Sequence, residues 1–163
     1  MGDPAGGPCD LLTEGFTGGA VAATRHAVMR AAAGAGLSGQ RLDDFVLAVN
    51  EIITNAVRYA DGHGRVRLWA GESAVCCEVT DAGPGIPTDL IDREPPPGLV
   101  AGGRGLWMAR QLCDNVDVRT GPEGTAVLLS IALDGRRPPL TPAGSQLDPP
   151  TGPPPPWPPI PPR

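Results

Sequence analysis

Glu51 and Asn55 lie four residues apart in the stretch LDDFVLAVNEIITNAVRYA, residues 42–60. If that stretch is helical, the two side chains stand one turn above the other. A carboxylate beside an amide is a useful chemical pair. The carboxylate can take a proton from a nucleophile, and the neutral amide oxygen can bind a hard cation such as Mg²⁺ without adding charge near a phosphate. On the wet face of a helix such a pair is most often only solvated, so its meaning depends on what else the fold brings to it. Two further stretches have suitable chemistry. In Asp81-Ala-Gly83-Pro-Gly85, alternate glycines let backbone pass close to a ligand, and a strand-end Asp can accept a hydrogen bond from an exocyclic amine. The same residues also suit a tight turn capped by Asp. In Gly102-Gly103-Arg104-Gly105-Leu106, glycines at a helix entry leave the first-turn amides open to an anion such as phosphate.

The elements that must position these residues follow from periodicity. Leu42, Phe45, Val46, Val49, Ile53, Ala56, Val57 and Ala60 recur at helical spacing, which predicts an amphipathic helix with its apolar stripe in the core. Glu51 and Asn55 fall on the opposite side, with Asp44 and Arg58 close by. Before this helix, Asp10 to Phe16 suits an edge strand, and Gly19 to Ala35 a first helix ending at Gly34 or Gly36. After it, the alternation of Val66 to Ala70 and of Ala74 to Thr80 predicts a hairpin across Gly71-Glu72-Ser73. Cys76 and Cys77 should then face opposite sides of the sheet and act as small apolar residues. Thr88 to Gly102 has no periodicity and carries Pro95-Pro96-Pro97, as a loop or lid would. A helix over Leu106 to Cys113 and a second hairpin, Val116 to Thr120 with Thr125 to Leu133 across Gly121-Pro-Glu-Gly124, complete the pattern.

This divides the 163 residues into a flexible or strand-forming 1–15, one domain over 16–133, and a tail over 134–163. The segment from Asp134 onward holds 13 of the 21 prolines and has almost no apolar period, which suits a disordered, partly polyproline-II extension. A net charge of −5 argues against a nucleic-acid surface. Cys9, Cys76, Cys77 and Cys113 have neither metal-ligand spacing nor disulfide-scaffold density, as expected of reduced thiols in a cytoplasmic protein. No stretch suits a secretory signal or a membrane span. His26 reads as a surface or packing residue.

The order of the motifs adds more than any one of them. Glu51-Ile-Ile-Thr-Asn55-Ala56, Asp81-Ala-Gly83-Pro-Gly85, Gly103-Arg104-Gly105-Leu106 and Gly124-Thr125 together resemble the N, G1, G2 and G3 boxes of the GHKL ATPases. More closely, LAVNEIITNAVRYA and GGRGLWMARQLCD resemble the bacterial anti-sigma-factor serine kinases. The resemblance implies an α+β two-layer sandwich, the Bergerat fold, with helices on one face of a mixed, mainly antiparallel sheet. It implies binding of ATP and Mg²⁺, with Glu51 as general base toward a serine hydroxyl and Asn55 as the Mg²⁺ ligand. It further implies Asp81 on the adenine amino group, Gly83 and Gly85 shaping the adenine pocket, Gly103, Arg104 and Gly105 on the phosphate side, and the Thr125 hydroxyl helping to hold adenine. The expected partners are a sigma factor and an anti-anti-sigma protein of the STAS type, and relatives commonly form homodimers. A nucleotide-dependent module that sequesters a partner without phosphotransfer is the alternative. The sequence lacks the dimerisation and phospho-acceptor helix pair of a histidine kinase, its lid is short and proline-bearing, and Gly124 stands where many relatives carry lysine.

Overall fold

The computed structural model describes residues 9–86, 91 and 104–133. Residues 1–8, most of the 88–102 loop, Gly103 and the 134–163 tail, for which the sequence raises the expectations above, lie outside the described residues. Five strands form one sheet: β1 (Cys9–Thr17), β2 (His63–Ala70), β3 (Ala74–Asp81), β4 (Asn115–Gly121) and β5 (Gly124–Ala132), in the order β1-β2-β3-β5-β4. All four pairings are antiparallel, so the parallel component expected of a mixed sheet is absent among the described residues. The helices are α1 (Val21–Gly34), α2 (Gly39–Tyr59) and α3 (Gly105–Leu112).

Strand alternation divides the sheet into two unlike faces. Val66, Leu68, Val75, Cys77, Val79, Val127, Leu129 and Ile131 are buried on the helix side, where they meet Val28, Ala32, Phe45, Val49 and Ile53 in one core. The opposite face is polar. There Arg67 pairs with Asp10 at 2.8 Å and lies 5.1 Å from the Trp69 ring centroid, while Arg119 reaches Glu78 at 3.4 Å. Such exposed pairs contribute little energy, but they mark this face as the wet one. Cys77 is buried and Cys76 is only half-buried on the other side, and all four cysteines are free. Burial pushes the Cys77 thiol well above its ordinary range, so it serves as a core apolar group.

Helix α1 ends as its glycines suggest. The Leu37 amide donates to the Ala32 carbonyl at 3.2 Å, with Gly36 in the left-handed region at φ 109°. Helix α2 is more enclosed than its apolar stripe implied. Phe45, Val49, Ile53, Ala56 and Ala60 are buried as expected, but so are Ala48 and Ile52. Their row continues to Asn55 and faces α3, so α2 is covered on two sides, by the sheet and by the neighbouring helix. The two helices run antiparallel: Asn55 meets Gly105 at the start of α3, and Asp44 lies toward Cys113 just beyond its end.

A polar clamp fixes this arrangement at the N-terminal end of α2. Both Nη atoms of Arg41 donate to the Asp114 carboxylate, and Nη2 also donates to the Ala132 carbonyl at 3.0 Å. Asp114 in turn accepts from the Ala132 amide at 2.7 Å, and its side chain is only 8% exposed. One guanidinium therefore ties α2, the turn after α3 and the end of β5 together. Arg41→Ala strips a nearly buried carboxylate of its charged donors and should destabilise the fold by about 2–3 kcal/mol. Denaturant unfolding measures this, and a loss under about 0.5 kcal/mol, the level of an exposed pair, would contradict the clamp.

Candidate functional site

Three elements converge where the row of Glu51 and Asn55 runs along α2. Both residues are half-buried, in contrast to the exposed Arg58 one turn further on. Asn55 is tightly opposed by backbone: a methyl group at Gly105 would come within 2.6 Å of Asn55 Nδ2. Only glycine lets the first turn of α3 approach the amide this closely. Arg104 precedes that turn and its carbonyl accepts from the Met108 amide at 2.8 Å. The amides of Gly105, Leu106 and Trp107 have no carbonyl within the helix to donate to. Asn55 and the open start of a helix therefore share one place.

The second part of the site forms at the end of β3. Asp81 faces Thr125 across the β3–β5 ladder, and its Oδ1 accepts from the Gly83 amide at 2.9 Å. Burial raises the Asp81 carboxyl above its ordinary range, and the backbone amides of Gly83 and Thr125 only partly oppose this. Gly83 is itself buried against Ala60, where a side chain would come within 2.6 Å of the Ala60 Cβ. Gly85, at φ 86°, then turns the chain so that the Ile86 amide donates to Thr120 Oγ1 at 2.7 Å. Thr120 Oγ1 lies 3.1 Å from Thr125 Oγ1, and Thr125 is only 3% exposed.

The structure thus brings the expected residues into two groups on one helix. Gly83, bonded to Asp81, packs against Ala60, with Thr125 paired opposite Asp81 and Gly85 against Thr120 and Gly121; Gly105 meets Asn55 further back on α2, with Arg104 just before it in the chain and Glu51 one turn beyond Asn55. From Ala60 to Asn55 the axial rise is about 7–8 Å, and Glu51 is about 6 Å further. Gly103 is not among the described residues. Asp44, expected near Glu51, is instead toward the far end of α3, where it accepts from Gln40 Nε2 at 2.7 Å. It also joins burial and Asp114 in pushing the Cys113 thiol up to about 12. Two contributors were missed: Thr120 and the Ile86 amide that donates to it. Thr120 left a trace in the sequence, since threonines at both ends of a short hairpin turn point to the same face.

An antiparallel sheet with helices on one face, whose long helix carries a Glu/Asn row beside a glycine-rich helix start, defines a GHKL-type nucleotide-binding domain. The chain belongs to the histidine kinase-like ATPase domain family, whose model matches residues 17–131. It is 32% identical over 108 residues to the sensor protein kinase PilS of Pseudomonas aeruginosa, an alignment covering 56% of this chain and 20% of that protein. A crystal structure of the RsbU and RsbW domains of a Mycobacterium tuberculosis protein superposes with a TM-score of 0.53 at 23% identity, over 74% of this chain and 31% of that one. The chain therefore spans a minor part of the length of either relative, and the second likeness is one of fold. Among the described residues no helix is long and apolar enough to cross a membrane.

The buried Asp81 has a measurable consequence. Its folded-state pKa is raised, so the folded protein holds this proton more tightly than the unfolded chain does. The resulting stability is complete below the ordinary carboxylate pKa and is lost as pH rises through the elevated one. Asp81→Asn, which keeps an acceptor for Gly83, should therefore melt above the wild type at neutral pH, with the difference vanishing in acid. Thermal melts between pH 3 and pH 8 test this, and a variant less stable at neutral pH would contradict it.

Proposed function

We propose that this domain binds Mg²⁺-ATP along α2 and acts as an anti-sigma regulatory factor that phosphorylates a serine of a STAS-type anti-anti-sigma protein. The observation that carries the nucleotide reading is the packing of Gly105 against Asn55 and of Gly83, whose amide donates to Asp81, against Ala60, about 7–8 Å further along the same helix. In this reading adenine lies at the Ala60 end. Its amino group donates to Asp81, and Thr125 contacts the ring. The phosphates lie toward Asn55, met by the free amides at the start of α3 and by the charge of Arg104. Glu51, one turn further from adenine, sits on the side where a nucleophile must approach the terminal phosphate, as a general base requires.

The donor set suits a Mg²⁺ ion held mainly by its substrate. Asn55 offers one neutral oxygen, and among the described residues no group of three or more His, Cys, Asp or Glu side chains could hold a metal. An ion here would complete its shell with phosphate oxygens and water. When bound, it would neutralise phosphate charge that builds up during transfer. Gly124 cannot be replaced by a cation-bearing residue, because its Cβ would strike the Asp81 carbonyl. Arg104 is then the described cation best placed for the phosphates.

Kinase chemistry is supported by the 32% identity to a segment of a sensor protein kinase. The choice of serine and of sigma-factor control rests on the motif resemblance of LAVNEIITNAVRYA and GGRGLWMARQLCD. Both partners, the sigma factor and the STAS protein, come from that resemblance alone.

Calorimetric titration of ATP with and without Mg²⁺ tests the site. Binding should depend on Mg²⁺, and Asn55→Ala should abolish that dependence while leaving the melting temperature near wild type, since Gly105 opposite offers no side chain to lose. Unchanged affinity in the variant would remove Asn55 as a ligand. For the reaction, label from γ-labelled ATP should appear on a purified STAS-type protein and fall at least about 100-fold with Glu51→Ala. Nucleotide-dependent capture of the partner with no label transferred would favour a sequestering module instead.

A further inference from the structure

From the polar contacts around Thr125 we infer that Thr120 is a positioning residue that sets purine selectivity by holding the Thr125 hydroxyl as a donor toward the base. This rests on the ATP-binding reading above and specifies how its adenine end discriminates. A hydroxyl has one proton to donate and two lone pairs that accept. One lone pair of Thr120 Oγ1 is taken by the Ile86 amide at 2.7 Å. The remaining close partner is Thr125 Oγ1, 3.1 Å away. Accepting an N–H makes a hydroxyl a stronger donor, so the Thr120 proton is directed at the Thr125 oxygen. Thr125 then has its own proton left for a ligand.

The result is a one-way chain that runs from the Ile86 amide to Thr120, to Thr125, and then to the base. Because Thr125 is almost wholly buried, bulk water cannot easily reset its direction. A chain that ends in a donor suits N1 of adenine, which accepts, and Asp81 beside it suits the adenine amino group, which donates. The 6-oxo purines present the reverse pattern, an N1–H donor and an O6 acceptor. They would oppose a donor with a donor and a carboxylate with an acceptor. An intervening water between Thr125 and N1 would preserve the polarity. Two observations make Thr120 more than a turn residue. Its amide donor comes from the loop shaped by Gly85, a distance of 34 residues in sequence, and its hydroxyl partner faces Asp81 across the ladder.

The test is calorimetric titration of ATP, ITP and 1-deaza-ATP, in which C–H replaces N1, into wild type, Thr120→Val and Thr120→Ser. In the wild type ATP should bind at least about tenfold tighter than either analogue, the scale of one buried hydrogen bond. Thr120→Val should weaken ATP, whose N1 loses a preset donor, and strengthen ITP, whose N1–H gains an acceptor in the released Thr125 hydroxyl, so that the ATP-to-ITP ratio falls about tenfold. Thr120→Ser should restore the wild-type ratio. Equal wild-type affinity for ATP and 1-deaza-ATP overturns the inference without any variant needing to fold. A parallel loss of both nucleotides in Thr120→Val, or no rescue by serine, also overturns it by reducing Thr120 to a structural role. Failure of the wild type to bind ATP at all would overturn the nucleotide reading itself, which is a distinguishable result.

Discussion

The approach of Gly105 to Asn55 is the constraint on which the rest of the site depends. Helix α2 must be covered by the sheet on one side and by α3 on another, yet the row of Glu51 and Asn55 must stay reachable. A side chain at residue 105 would either push α3 away, exposing Ala48 and Ile52, or drive into the Asn55 amide. With glycine the helix packs closely enough to bury those two residues and still leaves its free amides beside Asn55. Packing and chemistry are thus met by the same contact. The Arg41–Asp114 clamp acts at the opposite end of the helix pair, where it forms a rigid joint. The pair is held by an ion pair at one end and by the close approach of Gly105 to Asn55 at the other.

Asp81 is the point at which stability and the proposed adenine contact oppose each other. Its carboxyl is raised by burial despite accepting from backbone, so the free protein bears a cost that an amide in its place would avoid. Groups left in such a state are over-represented at sites that await a ligand, because an arriving donor relieves the cost. The surrounding residues fit this account. Gly83 turns tightly against Ala60, Gly85 redirects the chain, and Thr125 is buried opposite. None of these serves the hydrophobic core directly, yet together they hold one carboxylate oxygen against backbone and leave the group half-exposed.

Much of the architecture was legible because it rests on short-range periodicity. The strand Asp10 to Phe16, both hairpins and the α2 stripe reflect alternation or helical spacing, and each appears with its ends shifted by only a few residues. The burial of Ala48 and Ile52 was not legible, because it depends on α3, which lies more than fifty residues later and presents a second surface to the same helix. The Arg41–Asp114 pair joins residues 73 apart, and no local pattern announces it. Asp44 was misplaced for a related reason. It shares the helical row of Glu51, but two turns of α2 carry it to the other end of α3. The site residues were recognisable as motifs, whereas the network through Thr120 required the register of β4 against β5.

Gly124 illustrates how one departure from a family pattern can follow from geometry. In relatives that carry lysine before the threonine, that position can supply a cation. Here its φ of 143° and its closeness to the Asp81 carbonyl exclude any side chain. The backbone gains by this: β5 comes near enough for the Thr125 amide to reach Asp81. The same closeness places the Thr125 hydroxyl where it faces Thr120 rather than solvent. A site that gives up a flexible cation at this position gains a fixed hydroxyl and a fixed carboxylate instead. In the proposed function, charge for the phosphates comes instead from Arg104 and from the first amides of α3.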